Sequence, residues 1–387
     1  MPKPQLAICV LSLGLLASCS TPPTARLESR PAPPRSDFSR VAEPVAPRFV
    51  PAGDPRFVCH GRIDRANPAG PILIWQASRI SVDFEGEKLG LRWGPSLGQN
   101  CFDVEIDGVK HLLIIPPAKA GRDTFLPPLG PGRHQLSLFK RTEANAGTAR
   151  FEGIEVADDA HVRTPAPEAR SVQMEFIGDS ITAGACDEDG AEDQWEDRST
   201  HNGALSYAAL TAAAFDADYR NISVSGMGVV TGWVNKRAVR IWDRLYPETS
   251  SVRADLSDWT PRVVFVNLGE NDDSFTRAKR RPFPAAFADE YERLGRQIRR
   301  TYPGAQIVLL RGGMFGGAKS PALRAAWEKA VARLEAGDPR IHHFIFTHWS
   351  EKHPRVPDHR AMADELIAWL RSREFMHPAP AIAPGSF

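Results

Sequence analysis

Four short stretches, far apart in the chain, bring together the side-chain types that acyl transfer needs. The first, Gly178-Asp179-Ser180-Ile181-Thr182-Ala183-Gly184, follows directly on an apolar run from Val172 to Ile177. A serine on a tight turn at a strand's carboxyl end has an exposed hydroxyl and a backbone N–H directed at the same point, as a nucleophile and an oxyanion donor both require. Alone, the triplet reads equally well as a turn former or helix cap. Two further runs end in Val224-Ser225-Gly226-Met227-Gly228 and Asn267-Leu268-Gly269-Glu270-Asn271-Asp272. They offer the Gly226 N–H and the Asn271 side-chain amide, which with the Ser180 N–H make three donors for a tetrahedral oxyanion. The fourth stretch is His348-Trp349-Ser350-Glu351-Lys352-His353-Pro354. Here His353 is the candidate base, with Glu351 placed to accept from its Nδ1–H or a backbone carbonyl doing so instead. His348 and His359 compete for that role and read as surface histidines. Asp179, adjacent to the nucleophile, reads as a loop anchor with a secondary claim as a substrate contact. Activity is expected to fall on acidification as the imidazole of His353 protonates.

These residues must be positioned by a sheet. From Val172 the pattern alternates: strands at 172–177, 219–224, 262–268, 306–310 and 342–346, and helices at 204–215, 285–301, 321–335 and 358–371. Such β-α-β alternation predicts a parallel sheet covered on both faces, with functional groups beyond the carboxyl ends of its strands. The preceding segment, 57–156, consists of short runs bounded by Gly, Pro and Asn, including Ile80-Ser81-Val82-Asp83-Phe84 and Phe102-Asp103-Val104-Glu105-Ile106, with Asp107-Gly108 as a hairpin turn. It predicts an antiparallel β-sandwich of jelly-roll type. The fold class is therefore α/β with a sandwich in front, the domains being 51–160 and 171–375. The acidic insert Asp187 to Asp197 reads as a solvated loop, with narrowing of the cleft or cation binding as alternatives.

The 387 residues carry a formal net charge of +1, which gives no broad electropositive field and argues against a nucleic-acid partner. Leu6 to Ala17 is apolar but too short to span a bilayer, and behind Lys3 it reads as the core of a signal peptide. Its end, Leu16-Ala17-Ser18-Cys19, resembles a bacterial lipobox, so residues 1–19 are expected to be a lipoprotein signal and Cys19 a lipidated N-terminus. The expected location is the cell envelope, with contact to the membrane through that anchor only. A Pro-rich tether, 20–50, follows. Of the remaining cysteines, Cys59 and Cys101 are the plausible disulfide pair, two buried thiols being the alternative.

Ser180, Gly226, Asn271 and His353 together resemble the four blocks of the SGNH (GDSL-type) hydrolase superfamily. The likeness runs from Val172 to the terminal helix and is greatest to carbohydrate esterase family 2, which places a β-sandwich before this domain. Lys140-Arg141-Thr142-Glu143, Gly147, Phe151-Glu152-Gly153, Trp75 and Val104 to Gly108 look like that family's sandwich. The resemblance implies removal of acetyl groups from sugar hydroxyls, an acetylated carbohydrate as substrate, and no metal or other cofactor. Two positions depart from the superfamily pattern. Ser350 stands where Asp is common, leaving a Ser-His-Glu triad through Glu351 or a Ser-His dyad, and Glu270 stands where a small residue is common. Trp349, Trp233 and Trp195 are candidate sugar-stacking residues, with core packing as the alternative and Trp349 the best placed. An acetyltransferase, a catalytically inactive glycan-binding protein and a long-chain lipase or thioesterase remain as rival readings.

Overall fold

The computed structural model of the protein describes residues 47–168, 170 and 172–377, all within one compact unit. The expected signal peptide, Cys19 and most of the tether lie outside the described residues. The last residues assigned to the tether do not stay a linker: Pro47–Pro51 pairs antiparallel with Gly147–Ala157 as an added strand of the sandwich. No helix among the described residues is long and apolar enough to cross a membrane.

Alternation of side chains makes the sandwich. Along Arg79–Glu85 the residues Ile80, Val82 and Phe84 point into the core while Arg79, Ser81 and Asp83 take the other face, and Arg133–Lys140 and Asn100–Ile106 repeat the pattern beside it. Two six-stranded antiparallel sheets result. Between them Trp93 packs on Phe102 and Phe151, with ring centroids 4.8 and 5.3 Å apart. Asp107 (φ 52°) and Gly108 (φ 82°) join Asn100–Ile106 to Val109–Ile115, as a two-residue hairpin with both central residues left-handed demands.

The same sheet rules out the expected disulfide. Val58–His60, which carries Cys59, borders Arg79–Glu85, and Arg133–Lys140 then separates that strand from Asn100–Ile106, which carries Cys101. Three strand spacings of about 4.8 Å exceed the Cα separation a disulfide can bridge. Both thiols are free, and burial pushes that of Cys101 up to about 11.

In the second domain five strands run parallel in the spatial order Ala217–Ser223, Val172–Gly178, Val263–Asn267, Gln306–Met314, Ile341–Ser350. Near-continuous apolar strands feed both faces: Phe176, Phe265, Val308 and Leu310 join the core under the helix Val356–Arg371, whereas Ile177, Val264, Val266 and Leu309 join the core under Phe287–Thr301 and Pro321–Glu335. The strand order reverses beside Val172–Gly178, and its carboxyl end is the switch point where such sheets bind ligands. The helix Glu270–Ala278 was not expected from the sequence, and the last two strands extend past their expected ends to Met314 and Ser350.

The two domains share a core. Ile74, Trp75 and Ala144 of the sandwich pack into the cluster under Phe287–Thr301. Trp75 Nε1 donates to Leu245 O at 2.7 Å, and Gln76 Nε2 donates to Asn221 Oδ1 and Ser223 O at 3.0 and 3.1 Å. A buried ion pair, Arg62 to Glu175 at 3.1 Å, fastens the sandwich to the first strand of the parallel sheet.

Candidate active site

Ser180 opens a four-residue helix, Ser180–Ala183, at the end of Val172–Gly178. Asp179 caps it, Oδ1 accepting from Ile181 N at 3.1 Å, and Gly184 closes it in the left-handed region. A Cβ at Gly178 would fall 2.1 Å from Thr182 Oγ1, so only glycine lets the strand turn this sharply into the helix. The chain then runs from the last strand, Ile341–Ser350, through a short loop to Val356–Arg371, and this loop sets His353 Nε2 2.9 Å from Ser180 Oγ. The two groups, 173 residues apart in sequence, thus stand at hydrogen-bonding distance on one rim of the sheet.

The acid behind the histidine is not Glu351. That side chain is exposed to solvent, and the group at His353 Nδ1 is Asp193, whose Oδ2 lies 2.6 Å away and also accepts from His353 N at 3.3 Å. Arg355 Nη1 holds the other carboxylate oxygen at 2.8 Å. Burial alone would raise the Asp193 carboxyl, but the hydrogen bond and charge of His353, together with Arg355, outweigh it and hold the group well below the usual carboxylate range. A carboxyl held low in this way favours the ionised form, as an acid that steadies an imidazolium must.

Asp193 lies in the acidic insert, which is a built loop and not a solvated run. Asp187 Oδ1 accepts from Asn202 N at 2.8 Å and burial raises its carboxyl well above the ordinary range; Asp189 binds Gln194 N at 2.9 Å; Asp197 caps the turn at Ser199 N, also at 2.9 Å. The sandwich grips the loop from outside. Gln99 donates to Glu196 O at 2.7 Å and accepts from Arg198 N at 3.0 Å, and Arg141 pairs with Glu188.

Two sets of ligand-type atoms occur here, Cys186 with Asp193 and His353, and Cys186 with Asp189 and His201. Each is already engaged: Asp193 with His353 and Arg355, Asp189 with Gln194, and the Cys186 thiol and His201 Nε2 both with Gln194 O, at 3.5 and 3.2 Å. His201 Nδ1 faces Arg198 Nη1 at 3.4 Å, and since arginine only donates, the ring proton belongs on Nε2, where it blocks a metal. The cluster therefore acts as a hydrogen-bonded staple of the loop.

Burial, the largest influence, drives His201 down to about 4, so the folded chain keeps it neutral where the unfolded chain takes up a proton from the ordinary histidine range downwards. Acidification through that window favours unfolding, by about 3 kcal/mol once pH 4 is reached. In denaturant titrations, a His201→Asn variant is expected to gain roughly that much relative to the wild type between pH 7 and pH 4. An unchanged difference across the range would disprove the assignment.

Ser180, Gly226, Asn271 and His353 line one cavity of about 460 Å³, together with Glu143, Trp195, Arg198, Ser225, Trp233 and Met314. Gly226 has φ 79°, and a Cβ there would press on Trp233 and Val234 at 3.2 Å. Asn271 sits in the first turn of Glu270–Ala278, but its Nδ2 already donates to Asp179 Oδ2 and Met227 O, each at 3.0 Å. One of these bonds must be exchanged for the side chain to serve an oxyanion, a rearrangement that free enzymes commonly make on binding. Replacing Asn271 by Ala is expected to lower kcat about 10²–10³-fold with KM little changed, as steady-state kinetics on an aryl acetate would show.

Other candidates are placed differently from expectation. Asp179 is buried beneath the nucleophile and pushed up to about 8, chiefly by burial; with its oxygens bonded to Ile181 N and Asn271 it braces the site and does not line the cavity. Trp349 packs on Phe315 and beneath Lys319, away from the cavity lining. Trp195 and Trp233 do line it, the first edge-on to the His353 ring at 5.0 Å and the second 52% exposed. Glu270 does line the cavity, but its carboxylate is tied down, one oxygen accepting from Gly316 N at 3.1 Å and the other from Gly317 N at 2.9 Å. His359 is a core residue, its Nδ1 accepting from Tyr207 N at 3.2 Å, and His348 pairs with Asp358.

Residues 59–167 match the carbohydrate esterase 2 N-terminal family, and residues 176–381 match the GDSL-like lipase/acylhydrolase family. Among curated proteins, the chain is 32% identical over 335 residues to the cellulase/esterase CelE of Acetivibrio thermocellus, aligning with 83% of this chain but only 40% of that protein's length. It is 28% identical to an acetylxylan esterase/glucomannan deacetylase of Cellvibrio japonicus, with 79% of this chain and 87% of the relative aligned. Among solved structures, a family two carbohydrate esterase from Clostridium thermocellum in complex with cellohexaose is 29% identical and superimposes with a TM-score of 0.72, over 81% of this chain and 98% of that one. The second match alone spans more than half of the 387 residues and contains the whole parallel sheet from Phe176 onward. The chain belongs to the GDSL-like lipase/acylhydrolase family, and its N-terminal match and its relatives make it similar to the family 2 carbohydrate esterases.

Proposed function

We propose that this protein is a carboxylic ester hydrolase that removes acetyl groups from carbohydrate hydroxyls through an acyl-enzyme on Ser180. The observation that carries the reading is the 2.9 Å approach of His353 Nε2 to Ser180 Oγ inside a cavity lined by two tryptophans. His353 takes the Ser180 proton as Oγ attacks the acetyl carbonyl, and Asp193 steadies the imidazolium formed. The Ser180 and Gly226 N–H groups, with Asn271 after its exchange, receive the oxyanion. His353 then returns the proton to the departing sugar oxygen. Water repeats the cycle, giving up a proton to His353 as it attacks the acyl-enzyme, and acetate leaves with Ser180 restored. The names of the two curated relatives support a polysaccharide substrate.

Measuring acetate release from acetylated xylan, glucomannan and peptidoglycan, with and without an added unacetylated oligosaccharide, tests the reading. Release from at least one polysaccharide is expected. Capture of the acetyl group by the added sugar would instead identify a transferase, and a preference for long acyl chains on model esters would identify a lipase or thioesterase.

We also propose that the enzyme works at the cell envelope, tethered by a lipid on Cys19 and spaced from the membrane by its Pro-rich segment. The support is the lipobox-like Leu16-Ala17-Ser18-Cys19 behind an apolar core. Labelled palmitate should enter the wild type and not a Cys19→Ala variant in the native host; equal labelling of both would refute the anchor.

A further inference from the structure

Part of the cavity wall comes from the other domain. Strand Arg133–Lys140 of the sandwich leads into Arg141-Thr142-Glu143, and the carboxylate of Glu143 reaches across to accept from Ser225 N, one residue before Gly226. Its delivery is rigid. Lys140 is fully buried and its ammonium binds Thr142 O at 2.7 Å, Thr142 Oγ1 at 3.3 Å and Glu143 O at 3.3 Å, pinning the turn on both sides.

Only one Glu143 oxygen is used. Oε1 is buried without a hydrogen-bonding partner, and so is the neighbouring Ser225 Oγ, although Glu143 and Ser225 both line the cavity that holds Ser180 and His353. Burial raises this carboxyl, and the Ser225 N–H, the charge of Arg198, the nearby Ser225 hydroxyl and the charge of Lys140 counter it. A buried carboxylate oxygen left without a donor is expensive, and proteins rarely keep one unless something else satisfies it. A fixed acceptor beside a fixed hydroxyl, in the cavity that holds the nucleophile, complements a group that both donates and accepts. A free hydroxyl on the sugar ring is such a group, whereas an aryl ester has none.

We infer that Glu143 is a specificity-determining residue: its Oε1 accepts a hydrogen bond from an unacetylated hydroxyl of the sugar that carries the ester, so the sandwich takes part in selecting the substrate. This rests on the carbohydrate-ester reading and deepens it. A site built around such a bond rejects analogues lacking the hydroxyl, because its own polar group is then left unpaired.

The test compares wild type and Glu143→Gln on three substrates: an aryl acetate, a monoacetylated xyloside, and the deoxy forms of that xyloside lacking each neighbouring hydroxyl in turn. Glutamine keeps a carbonyl for Ser225 N and sets an NH₂ where Oε1 stood. The variant should lose about 10–100-fold in kcat/KM on the xyloside beyond whatever it loses on the aryl acetate. One deoxy form should be equally poor for the wild type and no worse for the variant, a coupling that a purely structural role would not produce. Parallel losses on sugar and aryl esters, or a deoxy penalty identical in both proteins, would overturn the inference. A wild type that cleaves the aryl acetate but no acetylated sugar would instead remove the proposed function itself, and this inference with it. Should Glu143→Gln not fold, Ser225→Ala, which leaves the carboxylate anchored, allows the same comparison and should also shrink the penalty for one deoxy form.

Discussion

Ser180→Ala is expected to lower acetate release about 10⁴–10⁶-fold while leaving the melting temperature and saccharide binding close to those of the wild type. The hydroxyl is small, and the helix it begins is capped by Asp179, not by Ser180, so the fold loses little. What disappears is the covalent route, leaving only oxyanion donors and positioned water to act on the ester. A second comparison separates nucleophile loss from general damage. Groups that act as one unit are not additive, so the Ser180→Ala/His353→Ala double variant should be no slower than Ser180→Ala alone. A double variant slower by the product of the two single losses would mean that the 2.9 Å contact is not the working one.

The next largest effect falls on a residue absent from any short motif. Asp193→Asn should reduce kcat about 10²–10⁴-fold, because an amide at Nδ1 can offer a donor and turn the imidazole into the wrong tautomer. Glu351→Ala, at an exposed position, should stay within about two-fold. A melting curve beside the kinetics distinguishes catalysis from mere loop damage: the Asp193→Asn variant should melt close to the wild type and keep its KM while kcat falls. A loop that simply fell apart would lower the melting temperature and raise KM as well. Equal losses in the Asp193 and Glu351 variants would refute the assignment of the acid.

The parts of this molecule legible in its sequence are those whose signals are local. Period-two alternation along 79–85 and 102–106, and dense apolar runs such as 263–267, announce strands because each buried side chain is decided within a few residues. The serine turn was legible for the same reason, since strand, glycine and nucleophile are contiguous. Glu270–Ala278 was hidden because Asn271, Asp272 and Asp273 are poor helix formers; yet three acids in a first turn is a dipole-matched helix start, and that was the signal to heed. Asp193 offered no such clue. Every carboxylate of the insert looks alike in one dimension, and which of them meets His353 depends on contacts made 160 residues away. The preference for Glu351 followed from closeness in sequence, but the chain after Ser350 turns that side chain outward. His359 shows the same limit in reverse, a polar residue held in the core by a single bond to the Tyr207 amide.

The grip of Gln99 and Arg141 on the loop bearing the acid has a practical corollary for anyone trimming this protein. A shortened version beginning at the parallel sheet would keep serine and histidine yet set their carboxylate adrift, and would shed Glu143 and the shared packing around Trp75 as well. The smallest piece worth expressing, or grafting onto another scaffold, therefore spans both layers together.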